Sequence, residues 1–198
     1  QADPAYTNGQ QITATFQLND GTNNLGTASF TYGLGVATNV FANTNVIVIN
    51  DYSSASPYPS AINVGGLVGT VVRATVTFTN LTHTWPADID ALLESPVQQG
   101  TLLMANAGSG SALHGATLNF DDGAAMYLPQ TNQIVSGTYK PTAYFPVATF
   151  PVPAPAAPYA TNMAAFNGNV ANGVWSLFVI DDTPLYSKEI TYTGSNAF

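Results

Sequence analysis

Six of the eleven carboxylates fall in three close pairs: Asp88 with Asp90, Asp121 with Asp122, and Asp181 with Asp182. Each pair sits at the end of an apolar, strand-like run. If folding gathers strand ends, like charges crowd, and a cation is the ordinary relief. Oxygen donors without cysteine suit calcium, with backbone carbonyls and waters completing the shell. Asp88 and Asp121 are the leading candidate ligands. The spacing is not that of an EF-hand loop. The plainer alternative is that these aspartates cap turns by accepting backbone N–H bonds.

Other chemistry has less to work with. His83 and His114 are the only histidines, and no Gly-x-Ser-x-Gly element accompanies them. The paired acids adjoin one another in sequence, unlike the separated carboxylates of a glycosidase. No catalytic residue is assigned, and the chain is expected not to be an enzyme. Trp175 lies mid-strand among apolar neighbours and reads as core. Trp85 precedes Pro86 in a loop and is the candidate contact for a ligand such as a glycan.

The elements that must position these groups are strands. Val72, Ala74, Val76 and Phe78 alternate with polar residues, as do Leu118 and Phe120. The run from Trp175 to Ile180 is apolar on both faces, which suits a central strand. Val46–Ile49 and Leu102–Met104 add short strands. Turn signals recur at Asn63–Gly66, Gly108–Gly110, Asp122–Gly123 and Asn172–Gly173. Many short strands with frequent turns predict an all-β sandwich. Six of the thirteen prolines lie between Pro141 and Pro158, so 129–165 is expected to be a long ordered loop over the sandwich. Tyr139, Tyr144, Phe145, Phe150 and Tyr159 would anchor it.

The first 35 residues read as a separate β-hairpin. Ile12, Ala14, Phe16 and Leu18 alternate with polar residues. Asp20–Asn24 turns the chain, and a second strand follows with Phe30 and Tyr32. Residues 36–45 read as a linker and 46–198 as the sandwich. An isolated hairpin is marginal in water, so its apolar face needs a partner. That partner is either its own sandwich or a neighbouring copy, joined by strand addition. A head-to-tail contact of the second kind builds filaments unless it closes into a ring.

Charged residues make up only 7 % of the chain, against 45 % hydrophobic. An average soluble protein has about 25 % charged residues. The surface must be Thr, Ser, Asn, Gln and Gly, without the Lys and Glu that guard strand edges. Three cations face eleven carboxylates, for a net charge of −8. Nucleic acid is excluded as a partner on this count, since phosphate binding needs clustered cations. No apolar stretch is long enough to insert in a membrane as a helix. No cysteine is present, which removes disulfides, thiol chemistry and Cys-ligated zinc.

Three segments, 81–96 (LTHTWPADIDALLESP), 116–125 (ATLNFDDGAA) and 166–182 (FNGNVANGVWSLFVIDD), together and in this order resemble the P-domain (Homo B) family. That family follows the catalytic domain of kexin/furin-type proprotein convertases and also occurs in secreted bacterial proteins. The resemblance spans roughly 46–182. It implies a jelly-roll-like β-sandwich without catalysis, and acidic positions that bind calcium in some members. The hairpin is similar to the last two strands of Ig-like domains that often precede such modules. The chain departs from the family after Asp182, where a closing Trp-Ser-Leu strand is missing.

These readings converge on one expectation. The chain is a non-catalytic, extracellular or cell-surface structural subunit of bacterial type that polymerises with itself through its hairpin. The alternatives are an adhesion module for glycan or protein, and an accessory domain to a separate protease.

Overall fold

The computed structural model describes residues 11–33, 35, 38–184 and 193–197, with side chains left out at Gln11, Gly33 and 193–197. The chain divides into two compact units, Gln1–Asn39 and Val40–Phe198.

The first unit is an antiparallel hairpin of β1 (Gln11–Asp20) and β2 (Asn23–Gly33). Gly21 supplies the positive φ of the tight turn between them. The register pairs Ile12 with Tyr32, Ala14 with Phe30, Phe16 with Ala28 and Leu18 with Gly26. Opposed residues share a face. The six apolar residues singled out above therefore form one continuous face. The other face is polar: Thr13 bonds Thr31 at 3.0 Å and Thr15 bonds Ser29 at 2.9 Å through their hydroxyls.

The second unit is a sandwich. Its strands are β3 (Ala42–Val48), β4 (Ser60–Val64), β5 (Val76–His83), β6 (Ile89–Glu94), β7 (Gly100–Ala105), β8 (Leu113–Phe120), β9 (Met126–Tyr127), β10 (Gly137–Lys140), β11 (Thr142–Ala143), β12 (Gly173–Asp181) and β13 (Thr193–Ala197). One sheet has the order β3-β13-β5-β8-β10-β9 and the other β11-β7-β6-β12-β4. The all-β sandwich expected from alternation is the observed architecture.

Local details depart from the expected outline. Ala42–Asn45, read as linker, is the first part of β3. The alternation back to Val72 does not extend the strand, which starts at Val76 and leaves Val72 exposed. The segment 137–143 holds β10 and β11, which pair in parallel with β8 and β7. Parallel pairing needs no hairpin turn, so no turn signal marks it.

Two apolar layers result. Between the sheets lie Val76, Phe78, Leu118, Phe120, Ile89, Leu93, Trp175, Leu177 and Val179. The alternate residues Leu92, Leu102, Phe178 and Ile180 point to the outer face of the five-stranded sheet. There Phe150 and the partly buried Tyr58, Val147, Ala148, Ala154 and Tyr159 cover them. The proline-rich stretch 144–160 is thus a strap over the sheet. β12 lies between β6 and β4 and is buried on both faces, which is why its sequence is continuously apolar. Of the aromatics expected to anchor the strap, Phe145 instead stands exposed.

Candidate functional site

The site begins with a shift of phase in β5. Val76 and Phe78 face the core, and strict alternation would next turn Asn80 and Thr82 inward. Asn80 instead takes a left-handed φ of 57°, and the pairing with β8 slips at this point. One extra residue in a strand reverses its inward set. Leu81 and His83 therefore enter the interior. Asparagine is among the few residues that adopt this conformation readily.

His83 then meets the end of β12. Its Nε2 is 3.1 Å from Asp181 Oδ2, with both side chains nearly removed from solvent. The contact is electrostatic rather than a well-aligned hydrogen bond. The backbone N–H of Trp85 donates to His83 Nδ1 at 3.2 Å, which puts the proton of the neutral ring on Nε2. Asp181 Oδ1 accepts the N–H of Thr183 at 3.1 Å.

The ladder between β6 and β12 brings two of the three acid pairs together. Ile180 lies opposite Asp90 and Asp181 opposite Ile89. The N–H of Asp182 donates to the carbonyl of Asp88, in the 3-10 turn Pro86–Asp88, at 2.9 Å. Asp88, Asp90 and Asp181 are buried and Asp182 is half-buried. Asp90 is wholly so, on the outer face beneath the strap. Its Oδ2 accepts the N–H of Ala148 at 3.1 Å, while its Oδ1 has no hydrogen-bond partner. The Asn106 N–H also faces this carboxylate, short of a bond to Oδ1.

Burial first, then the charges of Asp181 and Asp182, push the Asp88 carboxyl up to about 7. His83 and Asp51 act on it more weakly, in opposite directions. Burial also pushes Asp90 up to about 7, with the Ala148 bond opposing and Asp182 and Asp88 adding to the rise.

The third pair is engaged separately. Asp121 forms an ion pair with Arg73, whose Nε also donates to Oδ1 at 3.2 Å. The Gly123 N–H donates to the same Oδ1 at 2.9 Å. Burial works against ionisation here, but the Gly123 bond and Arg73 outweigh it and hold the carboxyl below its usual range. Asp122 accepts the N–H groups of Met163 and Ala164 at 2.8 and 2.7 Å, at the start of the 3-10 turn Met163–Phe166. These are the turn-capping roles that aspartate fills routinely.

Calcium takes six to eight oxygen ligands. Among the described residues, no group of three or more His, Asp or Glu side chains could hold a metal ion. The carboxylates of Asp121 and Asp122 are committed to Arg73 and to backbone N–H groups. Sequence reasoning gave no role to His83 beside the acids, because the bulge that turns it inward is a one-residue event. Asn80 in the left-handed region is the only local signal of it.

Trp85 is 46 % exposed, and its ring lies against the backbone of Gly110, where an added Cβ would come within 2.6 Å of it. A groove of about 350 Å³ runs along Phe41–Asn45 and Ala61–Asn63, beside the edge strands β3 and β4. Among the described residues, no helix is long and apolar enough to cross a membrane. No protein-family model matches this chain, and no curated protein or solved structure is significantly similar to it.

Proposed function

We propose that the protein is a non-catalytic, extracellular structural subunit that polymerises through its N-terminal hairpin. The carrying observation is the hairpin's apolar face. Ile12, Phe16, Leu18, Phe30 and Tyr32 are all exposed, with Phe16 at 54 % and Tyr32 at 57 %. The rings of Phe16 and Phe30 touch edge to face at 6.0 Å, which organises the face but does not cover it. Two strands alone bury too little to be stable in water. A continuous apolar face rimmed by polar residues marks an interaction surface. The occupant in this reading is the sandwich of a second copy, which meets the hairpin along a sheet edge. A surface with 7 % charge puts little electrostatic repulsion between copies.

The resemblance to the P-domain family fits this reading, because the module it implies is a scaffold and not an active site. The test is negative-stain microscopy with light scattering on the intact chain and on a chain lacking residues 1–35. Filaments or large regular assemblies from the intact chain alone are expected. Equal assembly of both overturns the proposal.

Trp85 favours a second reading, an adhesion module, since a half-exposed indole backed by a glycine offers a flat stacking surface. A glycan array with the intact chain and with Trp85→Ala tests it, and no hits would remove it.

A further inference from the structure

The two sides of the sandwich treat their strand edges differently. On one side the sheets end in β9 and β11, each two residues long. Lys140 lies over the Tyr127 ring of β9 at 5.4 Å, and Pro141 stands immediately before β11. Short strands, lysine and proline are the usual guards against pairing with another chain. On the other side the sheets end in β3 and β4, of seven and five residues. Neither of these strands contains a charged residue or a proline.

β3 is guarded in another way. Its pairing with β13 shifts register between Gly194 and Asn196, and Ser56 closes its far end through two bonds to Val48, both 2.8 Å. An irregular edge is a poorer template for a new strand. β4 has neither feature. It pairs with β12 without a shift from Ser60 to Val64. Ser60, Ile62 and Val64 turn inward, and Ala61 and Asn63 stand exposed. Among the described residues, no strand pairs with the other edge of β4. At Ala61 a side chain fills that place: Asn43 Nδ2 donates to the Ala61 carbonyl at 3.0 Å. The groove of about 350 Å³ beside this edge is lined by no charged residue.

We propose that β4 receives the hairpin of a second copy as an added strand, with the groove seating part of the hairpin's apolar face. The inference rests on polymerisation through the hairpin and names its acceptor. β1 and β2 also lack lysine, arginine and proline, and Asp20, beside the turn, is the one charged residue of Gln11–Gly33. Both strands are longer than β4 and can span it. Laid against β4, the hairpin extends the five-stranded sheet. Its apolar residues then continue the inward row of Ile62 and Val64 and cover the partly buried Phe41.

The experiment is light scattering against concentration for the intact chain and two edge variants. Ala61→Lys with Asn63→Lys places guards at two exposed positions of β4, and Met126→Lys does the same on β9. The β4 variant is expected to need about tenfold more protein to assemble, while the β9 variant assembles as the wild type does. Equal assembly of the β4 variant and the wild type overturns the proposal and leaves polymerisation through the hairpin standing. A wild type that stays monomeric at every concentration removes that reading, and this proposal with it. The chain has no cysteine, so an introduced thiol gives a second measurement that does not depend on the lysine variants folding. Maleimide should label Asn63→Cys several-fold more slowly in assemblies than in a chain that also carries Phe16→Thr and Phe30→Thr. Met126→Cys should label equally in both. Equal labelling of Asn63→Cys in both overturns the proposal. Slow labelling in a chain that remains monomeric places the hairpin on its own sandwich and overturns the second copy as occupant.

Discussion

His83 Nε2 lies 3.1 Å from Asp181 Oδ2, and both side chains are almost wholly out of solvent. The two residues belong to different sheets, so the contact ties the sandwich together across its interior at one end. Removing the histidine leaves a buried carboxylate beside other carboxylates. Leaving a buried polar group without its partner costs about 1–3 kcal/mol, and more for a charged group. His83→Ala is expected to lose stability on that scale in urea titration at neutral pH. Adding Asp181→Asn should recover part of the loss, because the orphaned charge then disappears.

The bulge that admits His83 has its own test. Asn80 holds a φ of 57°. A β-branched residue is strained there by about 1–3 kcal/mol. Asn80→Val should therefore destabilise by that amount, while Asn80→Gly should stay close to wild type by the same titration.

The strap contributes packing as well as cover. Phe150 is buried against Leu92, Leu102, Phe178 and Ile180, and its ring meets that of Tyr159 at 5.8 Å. Truncating a buried phenylalanine costs about 3–5 kcal/mol. Phe150→Ala should lose about this much in urea titration and should bind an apolar dye that the wild type does not.

At the acid end, a different pair governs. Asp121 is held below the usual carboxylate range with Arg73 as its ion partner. A depressed carboxylate contributes stability above its unfolded pKa, and that contribution is lost as pH falls through the folded value. Arg73→Ala should move the acid-unfolding midpoint to higher pH. Circular dichroism across an acid titration checks it.

Period-two alternation made the architecture legible wherever a strand has one wet face. β1 follows it up to Leu18, as do β2 after Gly26 and β8 from Ala116, and the hairpin register between Gln11 and Leu18 falls out of it. β12 was legible for the opposite reason, since only an interior strand is apolar on both faces. The strap was legible because proline cannot donate to a ladder. β10 was not, because parallel pairing leaves no turn to read. The candidate site was half legible. Strand ends were expected to gather acids, and β6 and β12 do so. Asp121 and Asp122 go elsewhere because Arg73 and a 3-10 turn meet them, both distant in sequence. His83 joined the acids through a single left-handed asparagine, which alternation does not encode.

The proposed assembly depends on the hairpin face joining copies. The most direct measurement is light scattering against concentration, paired with electron microscopy, for the wild type and for Phe16→Thr with Phe30→Thr. Threonine keeps strand propensity and removes the aromatic pair. Large assemblies are expected for the wild type and their loss in the double variant, with the sandwich's unfolding transition unchanged. Assembly by the variant equal to the wild type, or a wild type that stays monomeric at every concentration, would contradict it.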